Sequence, residues 1–333
     1  MLVRKWRNDP DVQVAFVPHN PAAPRGLQWT ERIPIVRTMV RLPIRLIALW
    51  RAAGRSQIVH IFSGAHTSFL LATVPPYSIA RLRGRPTLIH YHSGRAQDHL
   101  RRSALVRYVL RTSDAVVVPS RYLANIFSFY AIPSLVVANA IDTAELPYRR
   151  REVLQPHLVC TRNFEPIYGV DHLVRAFAAI KQDVPSASLQ LVGRGSMEAA
   201  LRALVRDLGV ADVEFCGPVP RNRIGDVLDR ADVFVNSSRV DNMPISILEA
   251  FAAGLAVVST ASGGIPFFVE HGRTGLLSEV GDIGALADNL RRVIADPVLA
   301  ARIANNARAE SSRYEWSVVR AEWLRLYRAL ARF

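Results

Sequence analysis

The sequence has few cysteines, few lysines and no long hydrophobic run. Two of its 333 residues are cysteine, Cys160 and Cys216. That is too few for a disulfide framework, and neither lies in a cluster with metal-ligand spacing, so both read as small core residues in a reducing compartment. No apolar stretch reaches the ~18 residues of a membrane span. Because no apolar core follows the opening residues 4–11, we expect no signal peptide and a cytoplasmic location.

Basic residues are concentrated in the first half of the chain. The formal net charge is +14, and residues 1–150 carry 21 basic against 7 acidic side chains, whereas residues 151–333 hold 21 of each. Such one-sided charge is typical of proteins with an anionic partner, such as nucleic acid, an anionic membrane surface or a phosphorylated substrate. Genome composition is the alternative explanation, because 40 of the 42 basic residues are arginine.

Short apolar runs alternate with helical patterns along the chain. Continuous β-branched runs separated by helices predict parallel sheets covered on both faces. Two such series joined by the polar stretch 147–156 predict an α/β protein with two doubly wound, Rossmann-like domains. The predicted strands are residues 12–17, 58–62, 87–92, 115–119, 135–138, 158–162, 188–193, 213–217, 233–238, 256–260 and 275–277. The predicted helices of the second series are 170–181, 196–208, 221–230, 244–253 and 283–295.

The first series begins unusually. A domain of this kind normally opens on a central strand and a glycine-rich turn, but the first glycine is Gly26 and the opening residues read as the tail of a helix. Either the sheet is rearranged or the true start lies upstream. We expect domains at 1–150 and 151–310, followed by a segment 311–333 whose amphipathic helix packs back on the first domain.

Residues 240–254, VDNMPISILEAFAAG, place one carboxylate inside an apolar helix that proline and glycine delimit. An unpaired buried carboxylate costs several kcal/mol, so Glu249 must reach water, a cation or the hydroxyls of a ligand. One interpretation is a narrow water-facing strip through Ser246, Glu249 and Ala253. The other is a ligand site, because Asp241 precedes the helix after a predicted strand, and two acids at a cleft can accept hydrogen bonds from sugar hydroxyls.

This segment resembles the E-x7-E region of the retaining glycosyltransferases of family 4, which have the GT-B fold. Their pattern is roughly S-x-x-E-G-x-P-x-x-x-x-E-A-x-A-x-G. This chain keeps the spacing, with Asp241 in place of the first Glu and Asn242 in place of Gly. The matching residues are Ser238, Pro244, Glu249, Ala250, Ala252 and Gly254. The resemblance extends from about residue 12 to the end of the chain and is strongest over residues 158–290.

Further matches follow in the order of the family. NAIDTAEL (139–146) resembles the N-G-I-D that closes the first domain. GRGSME (193–198) resembles a G-x-G turn that presents backbone N–H groups to phosphate at the start of a helix. SGGIPFFVEHGRTGLL (262–277) resembles a G-G-x-P-E motif that also leads into a helix, with Phe267 in place of Glu. In the first domain, LIHYHSG and VVVPSRYL place His92 and Ser120 at strand ends.

One departure concerns the phosphate-binding cations. The family usually has G-R-x-x-x-x-x-K-G, whereas TRNFEPIYGVDHL (161–173) has Arg162 but carries Tyr168 where Lys belongs. Losing one cation from a departing diphosphate costs several kcal/mol in the transition state. We expect Arg194, inside the G-x-G turn, to supply the charge. The alternatives are a different donor or a protein that binds without turnover.

The resemblance implies transfer of a sugar from a nucleoside diphosphate to a hydroxyl acceptor with retention, without metal or other cofactor. By that resemblance Glu249 holds the ribose hydroxyls, Asp241 contacts the donor sugar and His92 lies beside the reacting centre; these are the expected catalytic residues. The other expected donor-binding residues are Arg162, Tyr168, Gly193, Arg194, Gly195, Asn242, Met243, Pro244, Ile245, Gly263 and Gly264. Ser120 and Asn139 are expected on the acceptor side.

The acceptor of such enzymes binds the first domain, where residues 32–55 read as a basic amphipathic helix with Arg37, Arg41 and Arg45 every four residues. A helix of this kind can lie on an anionic bilayer, and the acceptor would then be a lipid-linked glycan; an ordinary solvated helix face is the alternative. A catalytically impaired nucleotide-sugar-binding protein is the competing function. No recognition motif supports nucleic acid as a partner, and the matches are those of family 4 transferases, not of GT-B epimerases or phosphorylases.

Overall fold

The structure, a computed structural model, describes residues 2–21, 34–151 and 153–331. Its internal contacts form two compact units. The first comprises Met1–Pro119, Leu123–Val137 and Ala321–Phe333, and the second comprises Ser120–Tyr122 and Ala138–Arg320. The sequence pattern predicted a boundary at residue 150, whereas the contacts group residues 138–150 with the second unit.

The first unit contains a four-stranded parallel sheet in the order β1-β2-β3-β4. Its strands are β1 (Val59–Ser63), β2 (Thr87–Tyr91), β3 (Ala115–Val118) and β4 (Leu135–Val136). All five residues of β2 are buried, as expected for an inner strand of a parallel sheet covered on both faces. The helices from the start of the chain to β4 are α1 (Leu2–Arg7), α2 (Pro34–Arg55), α3 (Thr67–Ala72), α4 (Val74–Leu82), α5 (Ala96–Arg102), α6 (Ala104–Thr112) and α7 (Arg121–Phe129).

The second unit contains a six-stranded parallel sheet in the order β10-β9-β8-β5-β6-β7. Its strands are β5 (His157–Cys160), β6 (Ser188–Val192), β7 (Val213–Gly217), β8 (Val233–Asn236), β9 (Ala256–Thr260) and β10 (Leu276–Ser278). The remaining helices of the chain are α8 (Val170–Asp183), α9 (Glu198–Asp207), α10 (Ile224–Asp229), α11 (Ile245–Ala253), α12 (Ile283–Ala295), α13 (Pro297–Ser311) and α14 (Trp316–Leu330). The part of α14 from Ala321 onward belongs to the first unit. The chain leaves β5 toward β6 on one side and β8 toward β9 on the other, so the strand order reverses between β5 and β8. Two α/β units with parallel sheets are therefore present, as the sequence predicted, and the reversal of strand order typical of a doubly wound sheet lies in the second.

Helix α11 is buried on nearly all sides. Eight of its nine residues are buried, so it needs apolar side chains all round. It begins one residue later than predicted, with Pro244 as its N-cap, and Gly254 ends it in the left-handed conformation at φ 77°. The expected helix limits were thus right to within one residue.

Two sequence-based predictions were wrong. Residues 12–17 form no strand and are mostly exposed; their β-branched residues favour a strand, but a strand needs a hydrogen-bonding neighbour, and no described strand pairs with them. The glycine pair of the SGG motif leads into a short 3-10 turn, Ile265–Phe267, not an α-helix. Within the described part of the chain, no helix is long and apolar enough to span a membrane.

Histidine side chains cluster on one face of the first sheet. His60 Nδ1 lies 2.7 Å from the Tyr327 hydroxyl, and the His90 ring lies 5.4 Å from His60 and 3.9 Å from His92 between centroids. His90 is 4% exposed, and neither of its ring nitrogens has a hydrogen-bond partner among the described residues. Trp323 packs 5.0 Å from His60 and 4.8 Å from His90.

Burial lowers the pKa of His60 to about 3 and the pKa of His90 well below its usual value of 6.5, with smaller contributions from repulsion by neighbouring imidazoles. Both are therefore neutral in the folded protein near neutral pH. Below pH ~6.5 the unfolded chain binds more protons than the folded one. The stability that the neutral state of these two histidines contributes is therefore complete above that pH and is lost as the pH falls.

We expect the first unit to be acid-sensitive. At pH 5 each of these two imidazoles should cost about 2 kcal/mol of unfolding free energy relative to pH 8. His90→Phe should remove one such contribution and leave those of His60, His92 and His99, whose pKa values burial also lowers. Urea unfolding followed by tryptophan fluorescence measures the difference. His157→Gln, at an exposed position of the second unit, is the control. Equal pH dependence in wild type and His90→Phe would contradict the assignment.

Candidate functional site

The predicted donor-site residues follow the carboxyl ends of strands in the second sheet. Arg162 follows β5 and Asp241 follows β8, the two adjacent strands between which the strand order reverses. Arg194 follows β6 and Gly263 follows β9. Parallel strands end at one edge of a sheet, and open α/β sheets bind ligands where the order reverses. The carboxyl edge between β5 and β8 is therefore the candidate site of the second unit.

Glu249 is buried in α11 and does not face bulk water. Its residue exposure is 9%, and Ser246 and Ala253, the other members of the proposed water-facing strip, are 7% and 0% exposed. The water-facing interpretation is therefore wrong. Its carboxylate instead lies beside a cation: Arg221 Nη2 donates to Oε1 at 3.2 Å.

Burial raises the pKa of Glu249 to about 7, against the attraction of Arg221, which lowers it; the nearby Glu145 raises it further. Its carboxyl group therefore titrates close to neutral pH. Arg221 was not predicted from the sequence, because it belongs to none of the family motifs. Its place four residues after β7, at the same sheet edge, was the signal that could have found it.

Asp241 and Arg162 form a buried ion pair. Their side chains are 11% and 12% exposed, and Arg162 Nη2 donates to Asp241 Oδ2. The Ser238 hydroxyl lies 3.0 Å from the same oxygen, and the backbone N–H of Asn242 donates to Oδ1 at 2.9 Å. The structure thus joins two predicted site residues, and both oxygens of Asp241 accept hydrogen bonds.

Tyr168 lies against Arg162. The Arg162 guanidinium stands 4.1 Å above the centre of the tyrosine ring, a geometry that stabilises a cation. Tyr168 ends a 3-10 turn, Pro166–Tyr168, and its carbonyl accepts from the Ser237 hydroxyl at 3.2 Å. The residue that replaces the expected lysine therefore contacts the remaining cation of the motif.

The G-x-G turn packs closely on the loop after β5. A Cβ atom at Gly193 (φ 154°) would lie 2.2 Å from the Arg162 carbonyl oxygen, and one at Gly195 would lie 2.4 Å from the Phe164 carbonyl oxygen. The Phe164 N–H donates to the Arg194 carbonyl at 3.0 Å. Only glycine permits this approach, so these residues have a packing role in addition to any contact with phosphate.

The second glycine pair supports the loop before α11. A Cβ at Gly263 (φ 52°) would meet the Asp241 carbonyl oxygen at 2.0 Å, and one at Gly264 would meet the Asn242 carbonyl oxygen at 2.1 Å. The Gly264 N–H donates to the Asp241 carbonyl at 3.2 Å. This pair holds the backbone of the Asp241–Asn242 loop in place.

The two residues predicted on the acceptor side contact the same loop. The Ser120 hydroxyl donates to the Asn242 side-chain oxygen, and the Asn139 amide donates to the Met243 carbonyl at 2.8 Å. Asn242, Met243 and Pro244 are buried, and Ile245 is half-buried. Ser120 and Asn139 thus stabilise the chain just ahead of α11.

Four arginines mark the carboxyl edge of this sheet. Three are paired with carboxylates: Arg162 with Asp241, Arg221 with Glu249, and Arg239 with Asp171 at 2.7 Å. Arg194 is exposed and forms no ion pair with any described residue. Arg239, which also donates to the Pro166 carbonyl at 2.7 Å, was missed from the sequence because it lies between motif positions.

His92 follows β2 in the first unit. Its N–H donates to the Ser63 carbonyl at 3.2 Å, and its ring stacks at 6.2 Å from Phe62. Desolvation by the surrounding protein disfavours the charged imidazolium and lowers the pKa of His92 to about 4. Part of the residue nevertheless remains exposed. A neutral imidazole at this position can donate one hydrogen bond and accept another.

Among the described residues, no group of three or more histidine, cysteine, aspartate or glutamate side chains could hold a metal ion. The polar groups at the carboxyl edge are instead suited to an organic anion with hydroxyl groups. Carboxylates can accept from hydroxyls, and an exposed guanidinium can donate to phosphate.

Comparison with known proteins identifies relatives among sugar-transferring enzymes. GDP-mannose-dependent alpha-(1-6)-phosphatidylinositol monomannoside mannosyltransferase of Mycobacterium tuberculosis is 34% identical over 198 residues, 57% of this chain and 50% of that protein. This chain therefore matches about half the length of that relative. The protein of the same name from Mycolicibacterium smegmatis is 31% identical over 291 residues, 79% of this chain and 75% of that protein.

Solved structures share the fold. Anabaena HepE in complex with UDP-glucose has a TM-score of 0.75 and 20% identity, covering 88% of this chain and 83% of its own. Sucrose-phosphate synthase from Thermosynechococcus elongatus has a TM-score of 0.73 and 22% identity, covering 97% of this chain and 86% of its own. These likenesses establish the GT-B fold.

Family models cover almost the whole chain. The model described as Glycosyltransferase Family 4 matches residues 2–145, and the model described as Glycosyl transferases group 1 matches residues 150–310. Together with the relative aligned over three quarters of its length, these matches show that the chain belongs to glycosyltransferase family 4, the group 1 glycosyl transferases.

Proposed function

We propose that this protein is a retaining, metal-independent glycosyltransferase that moves a sugar from a nucleoside diphosphate to a hydroxyl of a glycan or glycolipid in cell-envelope or surface polysaccharide synthesis. The observation that carries the proposal is the buried carboxylate of Glu249, held by Arg221 at the carboxyl edge of the second sheet. A relative that is named for its use of GDP-mannose and a fold neighbour solved with UDP-glucose support a nucleotide-sugar donor.

In this proposal Glu249 accepts hydrogen bonds from the vicinal ribose hydroxyls and Asp241 accepts from the donor sugar. The first N–H groups of α11 and α9 and the exposed Arg194 face the negative charge of the diphosphate. In the first unit, His92, neutral because of its lowered pKa, offers hydrogen bonds to the acceptor. Each of these side chains can perform its role only if it can still donate or accept a hydrogen bond beyond those it makes within the protein.

A catalytically impaired nucleotide-sugar-binding protein is the second candidate. Two replacements favour it: Tyr168 for the motif lysine and Phe267 for the motif glutamate, the latter 50% exposed at the site loop. A wild-type chain that binds nucleotide sugar but neither transfers nor hydrolyses it would establish this function in place of transfer. UDP-glucose and GDP-mannose are the first donors to assay.

Glu249→Gln should abolish transfer while the fold survives. A ribose hydroxyl donates to the carboxylate, so binding requires the ionised form, and Glu249 with a pKa of about 7 loses that form as the pH falls. The wild-type dissociation constant for a nucleotide sugar, measured by calorimetry from pH 8 to pH 5.5, should rise up to about tenfold per unit below pH 7. A nucleotide sugar is the suitable probe because its diphosphate diester does not titrate near neutral pH.

Asp207→Asn, at an exposed acid on the last turn of α9, is the matched control and should keep both the turnover and the pH dependence. Glu249→Gln should bind more weakly at pH 8 and show a flat profile. Wild-type turnover in Glu249→Gln would remove the site assignment.

Arg194→Ala should weaken binding of a nucleoside diphosphate about tenfold or more, because a charge-assisted hydrogen bond contributes about 1.5–3 kcal/mol. The salt dependence of binding should also fall, since one cation fewer faces the diphosphate. Arg206→Ala, at another exposed arginine of the second unit, is the control. Unchanged affinity and salt dependence in Arg194→Ala would show that other groups carry the phosphate charge.

We also propose that α2 contacts an anionic membrane surface that holds a lipid-linked acceptor. The arginine pattern expected for this contact needs correction: Arg45 is 5% exposed and donates to the carbonyls of Leu71 and Ala72 at the end of α3, and the Arg37 side chain lies outside the described residues. The exposed residues of α2 include Leu42, Ile47, Trp50, Arg51 and Arg55. Exposed apolar and basic side chains along one helix suit an anionic interface.

Trp50→Ser combined with Ile47→Ser should reduce flotation with vesicles of anionic phosphatidylglycerol, because the apolar contacts with the interface are lost. Leu208→Ser, at a comparably exposed apolar residue of the second unit, should float as wild type does. Wild type should bind anionic vesicles and not neutral phosphatidylcholine. Absence of wild-type binding to both would refute the membrane contact.

A further inference from the structure

The Arg162 guanidinium is enclosed by groups of the protein itself. Asp241 accepts from one terminal nitrogen, the Ser246 hydroxyl lies 3.5 Å from the other, and the Tyr168 ring covers one face at 4.1 Å. The Nε atom is sealed from solvent with no described acceptor. A ligand phosphate would compete with these neighbours for the positive charge.

The charge of Arg162 is also balanced locally. Its pairing with Asp241 brings together two side chains that are 12% and 11% exposed, so the pair presents little net charge at the sheet edge. Separating such a pair leaves two charges buried without compensation, which is unfavourable. Arg194, in contrast, is exposed and has no carboxylate partner among the described residues. The two arginines are thus suited to different roles.

Tyr168 fits the paired state of Arg162. A ring face stabilises a guanidinium lying above it, whereas a lysine at position 168 would place a second positive charge beside Arg162 and compete for Asp241. The ring is held by packing against the core of the second unit and by the Ser237 contact to its carbonyl. The tyrosine thus favours one placement of the arginine, directed at Asp241.

Asp241 keeps capacity for a ligand. A carboxylate offers about four acceptor positions, and its neighbours in the described part of the chain occupy at most three of them: Arg162, the Ser238 hydroxyl and the Asn242 N–H. The remaining position suits one sugar hydroxyl, which is a donor. A carboxylate held from three sides is pre-organised, so little freedom is lost when the sugar binds.

We propose that Arg162 and Tyr168 are positioning residues that hold Asp241 for recognition of the donor sugar, and that they leave the diphosphate to Arg194. This inference rests on the proposed function and deepens it. Tyr168 in place of the motif lysine is then explained by two separate tasks. Arg162 positions the acid that binds the sugar, and Arg194, in the turn after β6, binds the phosphate.

The test compares free nucleoside diphosphate with the matching nucleotide sugar, UDP against UDP-glucose and GDP against GDP-mannose, by calorimetry on the full chain. Tyr168→Leu removes the ring face without changing any charge. It should weaken binding of the nucleotide sugar about tenfold and change binding of the free diphosphate less than about twofold. Tyr168→Phe keeps the ring and should match wild type with both ligands, which shows that the face and not the hydroxyl is needed.

Arg194→Ala is the reciprocal comparison and should weaken both ligands by a similar factor. Arg162→Met should lose the part of the affinity that depends on the sugar and keep the part that depends on the diphosphate. Thermal melting shows whether this variant folds. If it does not fold, the comparison of Tyr168→Leu with Tyr168→Phe tests the inference. The inference is overturned if Tyr168→Leu binds both ligands as wild type does, or weakens free diphosphate as strongly as nucleotide sugar. A wild-type chain that binds none of these ligands would overturn the proposed function itself.

Discussion

The second unit depends on carboxylates that are closed off from water and held by arginines. Glu249 lies within a helix whose other surroundings are apolar, and Asp241 lies in the loop before that helix. An ionised carboxylate in such surroundings needs a partner, because its loss of hydration costs several kcal/mol. Each arginine therefore fixes the position of its acid, and the loops that carry the arginines are fixed in turn.

The close approach of loops at the sheet edge makes this arrangement rigid. The G-x-G turn packs on the carbonyls of the β5 loop, and the second glycine pair packs on those of the Asp241 loop. Any side chain at these glycines would push the loops apart and separate the ion pair between Arg162 and Asp241. The glycines of the family pattern thus act first on the geometry of the protein's own charged groups and through it on the ligand.

In the first unit, buried titratable groups are kept neutral and are not paired as ions. His60 and His90 are buried as neutral bases, with aromatic neighbours and no counter-ion among the described residues. A neutral imidazole costs little to bury, but its protonation in place is unfavourable. The two units consequently respond to acid for different reasons: the first loses stability, and the second loses the ionised form of Glu249.

Much of this protein could be predicted from its sequence, because parallel strands buried on both faces appear as continuous β-branched runs, as in Ala115–Val118. The prediction failed at residues 12–17, where strand preference lacked a pairing partner. Motif spacing located Glu249 and Asp241, and the apolar residues around Glu249 required a partner for its charge. The identity of those partners came only from the tertiary structure: Arg221 lies 28 residues from Glu249, and Arg162 lies 79 residues from Asp241. Local sequence determines which segments become strands and which charges need compensation, whereas the order of strands in the sheet decides which loops meet, and therefore which charge compensates which.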